Sequence, residues 1–209
     1  MPLSDIQLRV ATIVLALAEA DEFALAGGAA LVIHEVVDRG TKDLDCFGPS
    51  TAAVNALIDP AIAALTAQGM SIEVMISNDG FAKLFVNDGP NLTQLDIGFD
   101  PADHESVPSI VGPLRDLRDL AGDKLLALFS RAAPRDFIDI AGLLHRFSKG
   151  ELCAIASNKD SGFNLDVLAD AFGMLPSYDR DDEYPGLADE EYAALLEVFA
   201  DWQAEIRAR

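Results

Sequence analysis

Asp43 and Asp45 are separated by one residue in a short segment, 42–47, that is predicted to be a strand. Side chains two positions apart in a strand point to the same face, so the two carboxylates can share or bridge divalent cations. Magnesium prefers such hard oxygen ligands and holds them against substrate phosphates in phosphoryl-transfer sites. The pair therefore indicates a phosphoryl-transfer site, although Asp-x-Asp alone is a weak motif in so acidic a chain.

A pair of glycines stands upstream of these aspartates, in Ala26-Gly27-Gly28, where a helix is predicted to begin. Backbone without Cβ atoms lets amide N–H groups and the helix N-terminus approach a triphosphate closely. A Gly-Gly pair is also common in simple turns, so that alternative stays open.

A third aspartate, Asp96, lies between Leu95 and Ile97 in another predicted strand. A carboxylate buried in such an apolar strand is costly unless a metal ion or hydrogen bonds compensate its charge. Asp96 is therefore either a third functional carboxylate or a strand-edge residue that faces water.

Two predicted helices add a lysine and a fourth aspartate. Lys124 lies in a helical row with apolar residues, so it borders the buried stripe of its helix. Its ammonium group either reaches solvent or serves as a phosphate ligand. The apolar face expected for the next helix consists of Phe137, Ile140, Ala141 and Leu144. Asp139 then falls on the polar side of that helix, where a solvated residue and a functional carboxylate are both open interpretations.

Hydrophobic periodicity and turn signals predict an α/β (α+β) fold. Helices are expected at 4–20, 29–37 and 51–68, with Ser4 as the first N-cap, and strands are expected at 42–47, 71–77, 81–86 and 95–99. From residue 114 the pattern is helical, with helices expected at 114–131, 134–147, 165–172 and 189–207, and with an exposed acidic connection at 178–186. We therefore predict a small mixed sheet with helices in residues 1–112, followed by a C-terminal helical lobe in residues 113–209.

The net charge of −20 argues against a general polyanion-binding protein, because nucleic-acid affinity comes largely from basic side chains that displace counterions. Eight of the fifteen basic residues nevertheless lie between Pro113 and Lys159, against six acidic ones. A polyphosphate is expected to approach that stretch, and a pair of solvated helices with mixed charge is the alternative.

No signal peptide or membrane anchor is predicted: the N-terminal residues lack a basic region, and the apolar run from Val10 to Ala20 is too short to span a bilayer. The two cysteines, Cys46 and Cys153, are too few and too far apart in sequence for a disulfide framework or a zinc site. We therefore expect a cytoplasmic protein with reduced thiols and no membrane contact.

Four separated segments of the chain belong together as an ordered set of motifs. They are Ala26-Gly27-Gly28-Ala29-Ala30-Leu31, Arg39-Gly40-Thr41-Lys42-Asp43-Leu44-Asp45, Gly122-Asp123-Lys124-Leu125-Leu126-Ala127-Leu128, and Arg131 with Arg135-Asp136-Phe137-Ile138-Asp139. In this order they resemble the successive motifs of AbiEii/AbiGii-type nucleotidyltransferases, a family that includes type IV toxins and the mycobacterial MenT toxins. The resemblance covers residues 23–147, and the combination is far more specific than any single motif.

The resemblance implies a minimal nucleotidyltransferase core like that of DNA polymerase β, with Mg²⁺ or Mn²⁺ as cofactor and a nucleoside triphosphate as substrate. The implied metal ligands are Asp43, Asp45 and Asp96, and Asp96 also counts as a third catalytic carboxylate. The implied nucleotide-binding residues are Gly27, Gly28, Arg39, Thr41, Lys42, Lys124 and Arg135. Lys124 would contact the phosphates, and Asp139 would be the base or a further catalytic carboxylate.

For the biological role, the resemblance implies a toxin that adds a nucleotide to the 3′ end of tRNA, blocks translation and is neutralised by a cognate antitoxin protein. Two alternatives stay open. Transfer of a nucleotide to a protein hydroxyl is less impeded by the charge of −20, and a non-catalytic interaction protein could retain the same fold. The intact set of Asp43, Asp45, Lys124 and Asp139 argues against the second alternative.

Overall fold

The computed structural model describes residues 3–184 and 186–209. The chain divides into two compact units, which we call the sheet unit (residues 1–120) and the helical unit (residues 121–209). The division falls within one helix, Leu117–Arg131.

The sheet unit combines a seven-stranded mixed sheet with helices. Its helices are α1 (Asp5–Leu15), α2 (Gly27–Ile33) and α3 (Thr51–Ala67), and α4 (Leu117–Arg131) begins in it. Its strands are β1 (Ala24–Ala26), β2 (Asp43–Gly48), β3 (Ser71–Asn78), β4 (Phe81–Asn87), β5 (Leu92–Phe99), β6 (Val107–Ser109) and β7 (Gly112–Leu114).

The strands lie in the order β3-β4-β5-β2-β1-β7-β6 across the sheet. β2 is parallel to β5 and β1 is parallel to β7, whereas the other neighbouring strands are antiparallel. The register of the β2–β5 pair places Asp45 opposite Asp96, so carboxylates that are distant in sequence become neighbours.

Side chains alternate between the two faces of the central strands, as a strand periodicity of two requires. One face packs against α1 and α3 and carries buried apolar residues: Leu44, Cys46, Ala82, Leu84, Val86, Leu95 and Ile97. The residues between them point to the opposite face and are only partly buried; they include Asp43, Asp45, Lys83 and Asp96. The core behind the sheet therefore fixes the positions of charged groups on the other face, which we call the open face.

In the helical unit, α5 (Pro134–Leu143), α6 (Lys149–Lys159), α7 (Leu165–Phe172), α8 (Arg180–Glu183) and α9 (Asp189–Arg207) follow the C-terminal part of α4. An aromatic cluster forms its core: the ring centroids of Phe137 and Phe199 are 5.0 Å apart, and those of Phe172 and Trp202 are 4.9 Å apart. These contacts hold α5 and α7 against α9. Among the described residues, no helix is both long enough and apolar enough to cross a bilayer.

The structure confirms the predicted α/β (α+β) fold class, with a mixed sheet followed by helices. Four predicted strands are present as β2 to β5, and the bounds of α7 and α9 match those expected. β1, β6 and β7 were not predicted because three residues are too few to show a periodic pattern. α6 was also missed, although Ser148 and Glu151 form a capping box, which is a signal that sequence alone contains.

Several predicted helix bounds are wrong, for local reasons. α1 ends at Leu15 rather than Ala20, because Leu17 is extended and a separate 3₁₀ turn follows at Ala18–Ala20. α2 ends at Ile33 rather than residue 37, since Glu35 adopts a φ of 56°, which is incompatible with a right-handed helix. α5 ends at Leu143 rather than residue 147.

The acidic segment 178–186 is only partly the exposed connection that we expected. It contains the short helix α8, and Tyr184 is buried with its hydroxyl donating a hydrogen bond to the Pro134 carbonyl at 3.1 Å. Pro185 lies outside the described residues. The segment therefore helps to anchor the start of α5.

Candidate active site

Asp43 and Asp45 lie on the open face of β2, alternating with the buried side chains of Leu44 and Cys46. The shared face that the Asp-x-Asp spacing predicts is therefore present in the structure. Both carboxylates are partly accessible, which leaves room for a ligand to approach them.

Gly27 lies directly against Asp45. It has a φ of 59°, in the left-handed region that favours glycine, and a Cβ atom at this position would lie 1.8 Å from Asp45 Oδ2. Ala26 of β1 is opposite Asp45 of β2, and Gly27 is the next residue of the chain, so the glycine pair begins beside the Asp45 carboxylate. Glycine is required here both for its backbone conformation and for the space that the carboxylate occupies.

Gly28, Arg39, Thr41 and Asp43 form a continuous group beside this position. A Cβ atom on Gly28 would lie 3.0 Å from Arg39 Nη2 and 3.2 Å from Thr41 Oγ1. The Thr41 hydroxyl donates a hydrogen bond to Asp43 Oδ1 at 2.9 Å and so orients that carboxylate. The buried Gln7 side chain in turn donates to the Thr41 carbonyl at 2.9 Å, which ties the loop before β2 to α1.

Asp96 faces the same side of the sheet on β5 and is held by two neighbours. Lys83 Nζ on β4 lies 3.4 Å from Asp96 Oδ2, and the Gln94 amide donates to Asp96 Oδ1 at 2.9 Å. Burial raises the pKa of the Asp96 carboxyl, and the Lys83 ammonium group opposes that shift. Of the two alternatives for Asp96, the strand-edge residue that faces water is excluded, because β5 is flanked by β4 and β2.

The chemistry of these side chains fits a divalent cation. Asp43 and Asp45 supply hard carboxylate oxygens on one face of a rigid strand, and Asp96 is beside Asp45 on the next strand. Within residues 3–184 and 186–209, however, no three or more His, Cys, Asp or Glu side chains are already arranged to hold a metal ion. The pair Asp43 and Asp45 is thus the best donor set, while coordination by Asp96 stays a prediction.

Lys124 and Asp139 pair inside the helical unit. Lys124 Nζ lies 2.8 Å from Asp139 Oδ2, with 9% of the lysine side chain and none of the aspartate side chain exposed. The prediction that Lys124 borders the buried stripe of its helix is confirmed. The prediction that Asp139 lies on the polar side of its helix is wrong: α5 buries Asp136, Phe137, Asp139, Ile140 and Leu143, and an ion pair compensates the charge of Asp139.

The remaining predicted residues have different surroundings. Lys42 is exposed at the bend before β2, and its carbonyl accepts a hydrogen bond from the backbone N–H of Gln94 at 3.4 Å. Arg135 is exposed on α5. Arg131 donates two hydrogen bonds of 2.9 Å to the fully buried Asp136, which also accepts the Ala133 amide at the start of α5. This fork anchors the helix on which Asp139 lies.

Sequence reasoning missed Lys83, Gln94 and Gln7, all of which contact candidate site residues. Lys83 and Gln94 alternate with buried residues in β4 and β5, so the sequence could have predicted that both side chains point away from the core. The sequence could not have predicted that they lie close to the aspartates, since that depends on the order and register of β4, β5 and β2.

Several solved structures share the fold of this chain. A structure of JHP933 from Helicobacter pylori has 19% sequence identity and a TM-score of 0.59, with 99% of this chain and 95% of that chain covered. A putative nucleotidyltransferase from H. pylori has 19% identity and a TM-score of 0.57, over 97% and 95% of the two chains. The nucleotidyltransferase toxin MenT4 from Mycobacterium tuberculosis has 12% identity and a TM-score of 0.59, over 96% and 82%.

No curated protein sequence is significantly similar to this chain. The family model described as nucleotidyl transferase AbiEii toxin, type IV TA system, matches residues 14–207. That match contains the glycines, Asp43, Asp45, Asp96, Lys124 and Asp139. The chain is therefore a nucleotidyltransferase and belongs to the AbiEii family of toxins of type IV toxin–antitoxin systems.

Proposed function

We propose that this nucleotidyltransferase is a magnesium-dependent toxin that transfers a nucleotide from a nucleoside triphosphate to the 3′ end of tRNA and thereby blocks translation. The observation that carries the proposal is the carboxylate pair on the open face of β2, with Thr41 bonded to Asp43 and Gly27 against Asp45. Asp96 supplies a third carboxylate opposite Asp45.

In the proposed reaction, the acceptor hydroxyl attacks the α-phosphorus, the bond from that phosphorus to the bridging oxygen breaks, and pyrophosphate leaves. When bound by Asp43 and Asp45, Mg²⁺ (or Mn²⁺) neutralises charge on the phosphates. Asp96 accepts the proton of the attacking hydroxyl, and Gln94 and Lys83 hold its carboxylate in place. Gly28, Arg39 and Thr41 contact the triphosphate.

The roles of Lys124 and Asp139 in this proposal rest on the family resemblance. Lys124 is the phosphate ligand, and Asp139 positions its ammonium group through the 2.8 Å ion pair. The complete burial of Asp139 favours this positioning role over the role of base. A cognate antitoxin protein is the partner that family membership suggests for the toxin.

The charge of the protein limits how an RNA acceptor is held. At least six of the eight basic residues between Pro113 and Lys159 are in ion pairs: Arg115, Arg118, Lys124, Arg131, Lys149 and Lys159. The locally basic stretch is therefore largely neutralised and offers little net attraction to a tRNA body. A short single-stranded 3′ end is the part of tRNA that this protein can hold most easily.

Transfer of a nucleotide to a protein hydroxyl is the second candidate function. The net charge of −20 favours it, since a protein acceptor need not carry the charge density of a nucleic acid. The carboxylate chemistry would be the same for either acceptor. The two functions differ only in the molecule that carries the label after the reaction.

The experiment uses purified protein, Mg²⁺, each α-labelled nucleoside triphosphate and a mixture of total RNA and cell protein. We expect label on tRNA-sized RNA, and we expect its loss with EDTA, with Asp43→Asn and with Asp45→Asn. Asp59→Asn, an exposed position on α3, is the matched control and should label as the wild type does. Label on protein that resists ribonuclease would establish the second candidate, and label insensitive to EDTA and to both site variants would overturn the proposed centre.

A further inference from the structure

An aromatic–lysine–aromatic row follows the open face of β4. Phe81, Lys83 and Phe85 are partly buried, and the residues between them, Ala82 and Leu84, are fully buried on the core side. The alternation makes the three side chains neighbours on one face of the strand. A rise of about 3.3 Å per residue separates the two phenylalanines by about 13 Å along the strand, with Lys83 midway between them in sequence.

Strand register places this row beside the carboxylates. Lys83 is opposite Asp96, and Asp96 is opposite Asp45 on the next strand, so Lys83 is two strands away from Asp45. The spacing between neighbouring strands is about 4.8 Å, which puts the β4 row about 10 Å from β2. A chain that lies along β4 can therefore present its end to the carboxylates.

A third aromatic residue, Phe47 on β2, borders the same surface. Phe81 is opposite Gly98, and Gly98 is opposite Phe47. A Cβ atom at Gly98 would lie 3.1 Å from Phe47 Cε1 and 3.3 Å from Phe81 Cδ2, so the glycine lets both rings lie beside it. The open face thus carries an aromatic ring on either side of β5 at Gly98, two residues after Asp96.

These groups match the chemistry of single-stranded nucleic acid. Bases that are not paired in a duplex stack on aromatic side chains with little dependence on sequence, and a lysine between the rings can contact the intervening phosphate. A duplex does not suit a three-residue row with a single lysine in a protein of net charge −20. The surface therefore favours a few unpaired nucleotides over an extended polyanion.

We propose that Phe81, Lys83 and Phe85 form an acceptor platform, on which the single-stranded 3′ end of an RNA lies with its terminal hydroxyl directed to the carboxylates of Asp43, Asp45 and Asp96. This inference rests on the proposed function, because it requires RNA as the acceptor. It adds the surface that binds the acceptor and explains how a strongly acidic protein holds an RNA end: stacking replaces most of the electrostatic attraction.

The test is fluorescence anisotropy with a labelled single-stranded octaribonucleotide that has a free 3′ hydroxyl. We expect the Phe81→Leu/Phe85→Leu variant to bind it at least about tenfold more weakly, because leucine keeps apolar volume but removes the stacking surface. Phe99→Leu is the matched control: Phe99 is half-exposed at the end of β5, where strand alternation directs it to the other face, and its replacement should leave binding unchanged. Thermal unfolding of each variant checks that it is folded.

A second measurement does not depend on the folding of any variant. An oligonucleotide with 4-thiouridine next to its 3′ end is photo-crosslinked to the wild-type protein, and the modified peptide is identified by mass spectrometry. Crosslinks within residues 81–85 support the platform.

Two negative results are distinguishable. If the wild type binds the oligonucleotide while Phe81→Leu/Phe85→Leu binds equally well, or if all crosslinks lie elsewhere, the platform is overturned and the RNA acceptor stands. If the wild type binds no oligonucleotide and nucleotide label appears on protein instead, the RNA acceptor itself is overturned, and the platform with it.

Discussion

The buried ion pair of Lys124 and Asp139 gives a prediction whose magnitude follows from exposure. Lys124→Met removes the ammonium group that lies 2.8 Å from the Asp139 carboxylate, whose side chain has no exposed surface. Removing one partner of a buried ion pair costs about 3–5 kcal/mol, and we expect Lys124→Met to fall within that range. Asp139→Leu should cost less, because the Lys124 side chain is 9% exposed and its ammonium group can shift toward water.

Replacing both partners removes the penalty. In the double variant Lys124→Met/Asp139→Leu no buried charge remains from the pair, and apolar replacement of a buried ion pair is often neutral or stabilising. We therefore expect the double variant to lie within about 1 kcal/mol of the wild type. The control is Asp189→Asn: its ion pair with Arg180 leaves 89% of the aspartate side chain exposed, and such surface pairs contribute about 0–1 kcal/mol.

The assay is urea denaturation followed by the fluorescence of Trp202, the single tryptophan of the chain. Trp202 is 1% exposed in the aromatic core of the helical unit, so its emission reports unfolding of the unit that contains the ion pair. The reasoning is refuted if Lys124→Met unfolds at the same urea concentration as the wild type. It is also refuted if the double variant is as unstable as the worse single variant.

This prediction also affects how activity data are interpreted. A Lys124 variant that is inactive because it unfolds says nothing about phosphate binding. A double variant that is folded but inactive in nucleotide transfer would support a direct role for Lys124, and a folded, active double variant would show that the pair is structural.

Three further predictions concern individual positions. Gly27→Ala should lower the free energy of unfolding by more than the roughly 1–2 kcal/mol that left-handed backbone costs a residue with a Cβ atom, since that atom would also overlap Asp45 Oδ2. Urea denaturation followed by circular dichroism measures the loss, and a loss smaller than the backbone cost contradicts the geometry. Arg131→Met should destabilise the helical unit by about 1–3 kcal/mol, measured by Trp202 fluorescence, because the buried Asp136 loses two hydrogen bonds; an unchanged midpoint would count against the fork. Burial raises the pKa of the Cys46 thiol to about 12. In a Cys153→Ser variant, where Cys46 is the remaining cysteine, Ellman's reagent at pH 8 should therefore react only after denaturant is added. Reaction of the native variant at the rate of a free thiol would contradict the burial of Cys46.

The sequence was most informative where chemistry depends on local periodicity. Asp43 and Asp45 share a face because residues two apart in any strand do so, and the structure bears this out. The position of Lys124 beside the buried stripe of α4 was predictable for the same kind of reason, from helical spacing.

Non-local relations were not predictable from the sequence. The alignment of Asp45 with Asp96 and Lys83 depends on a parallel pairing between β2 and β5, which are separated by a helix and a hairpin. Asp139 was assigned to the wrong face of α5 because hydrophobicity alone does not anticipate a carboxylate that is buried with a lysine from another helix.

The measurement that tests the central claim most directly is the single-turnover rate of nucleotide transfer by wild type, Asp43→Asn, Asp45→Asn and the control Asp59→Asn at saturating Mg²⁺. Asparagine keeps the shape of each side chain and removes one negative charge, so folding should persist while metal binding is weakened. We predict that the single-turnover rate falls by at least about a hundredfold in both site variants and is unchanged in the control. A hundredfold decrease corresponds to the loss of roughly 3 kcal/mol of transition-state stabilisation. Transfer at the wild-type rate by folded Asp43→Asn and Asp45→Asn would contradict the assignment of the reaction to this face of β2.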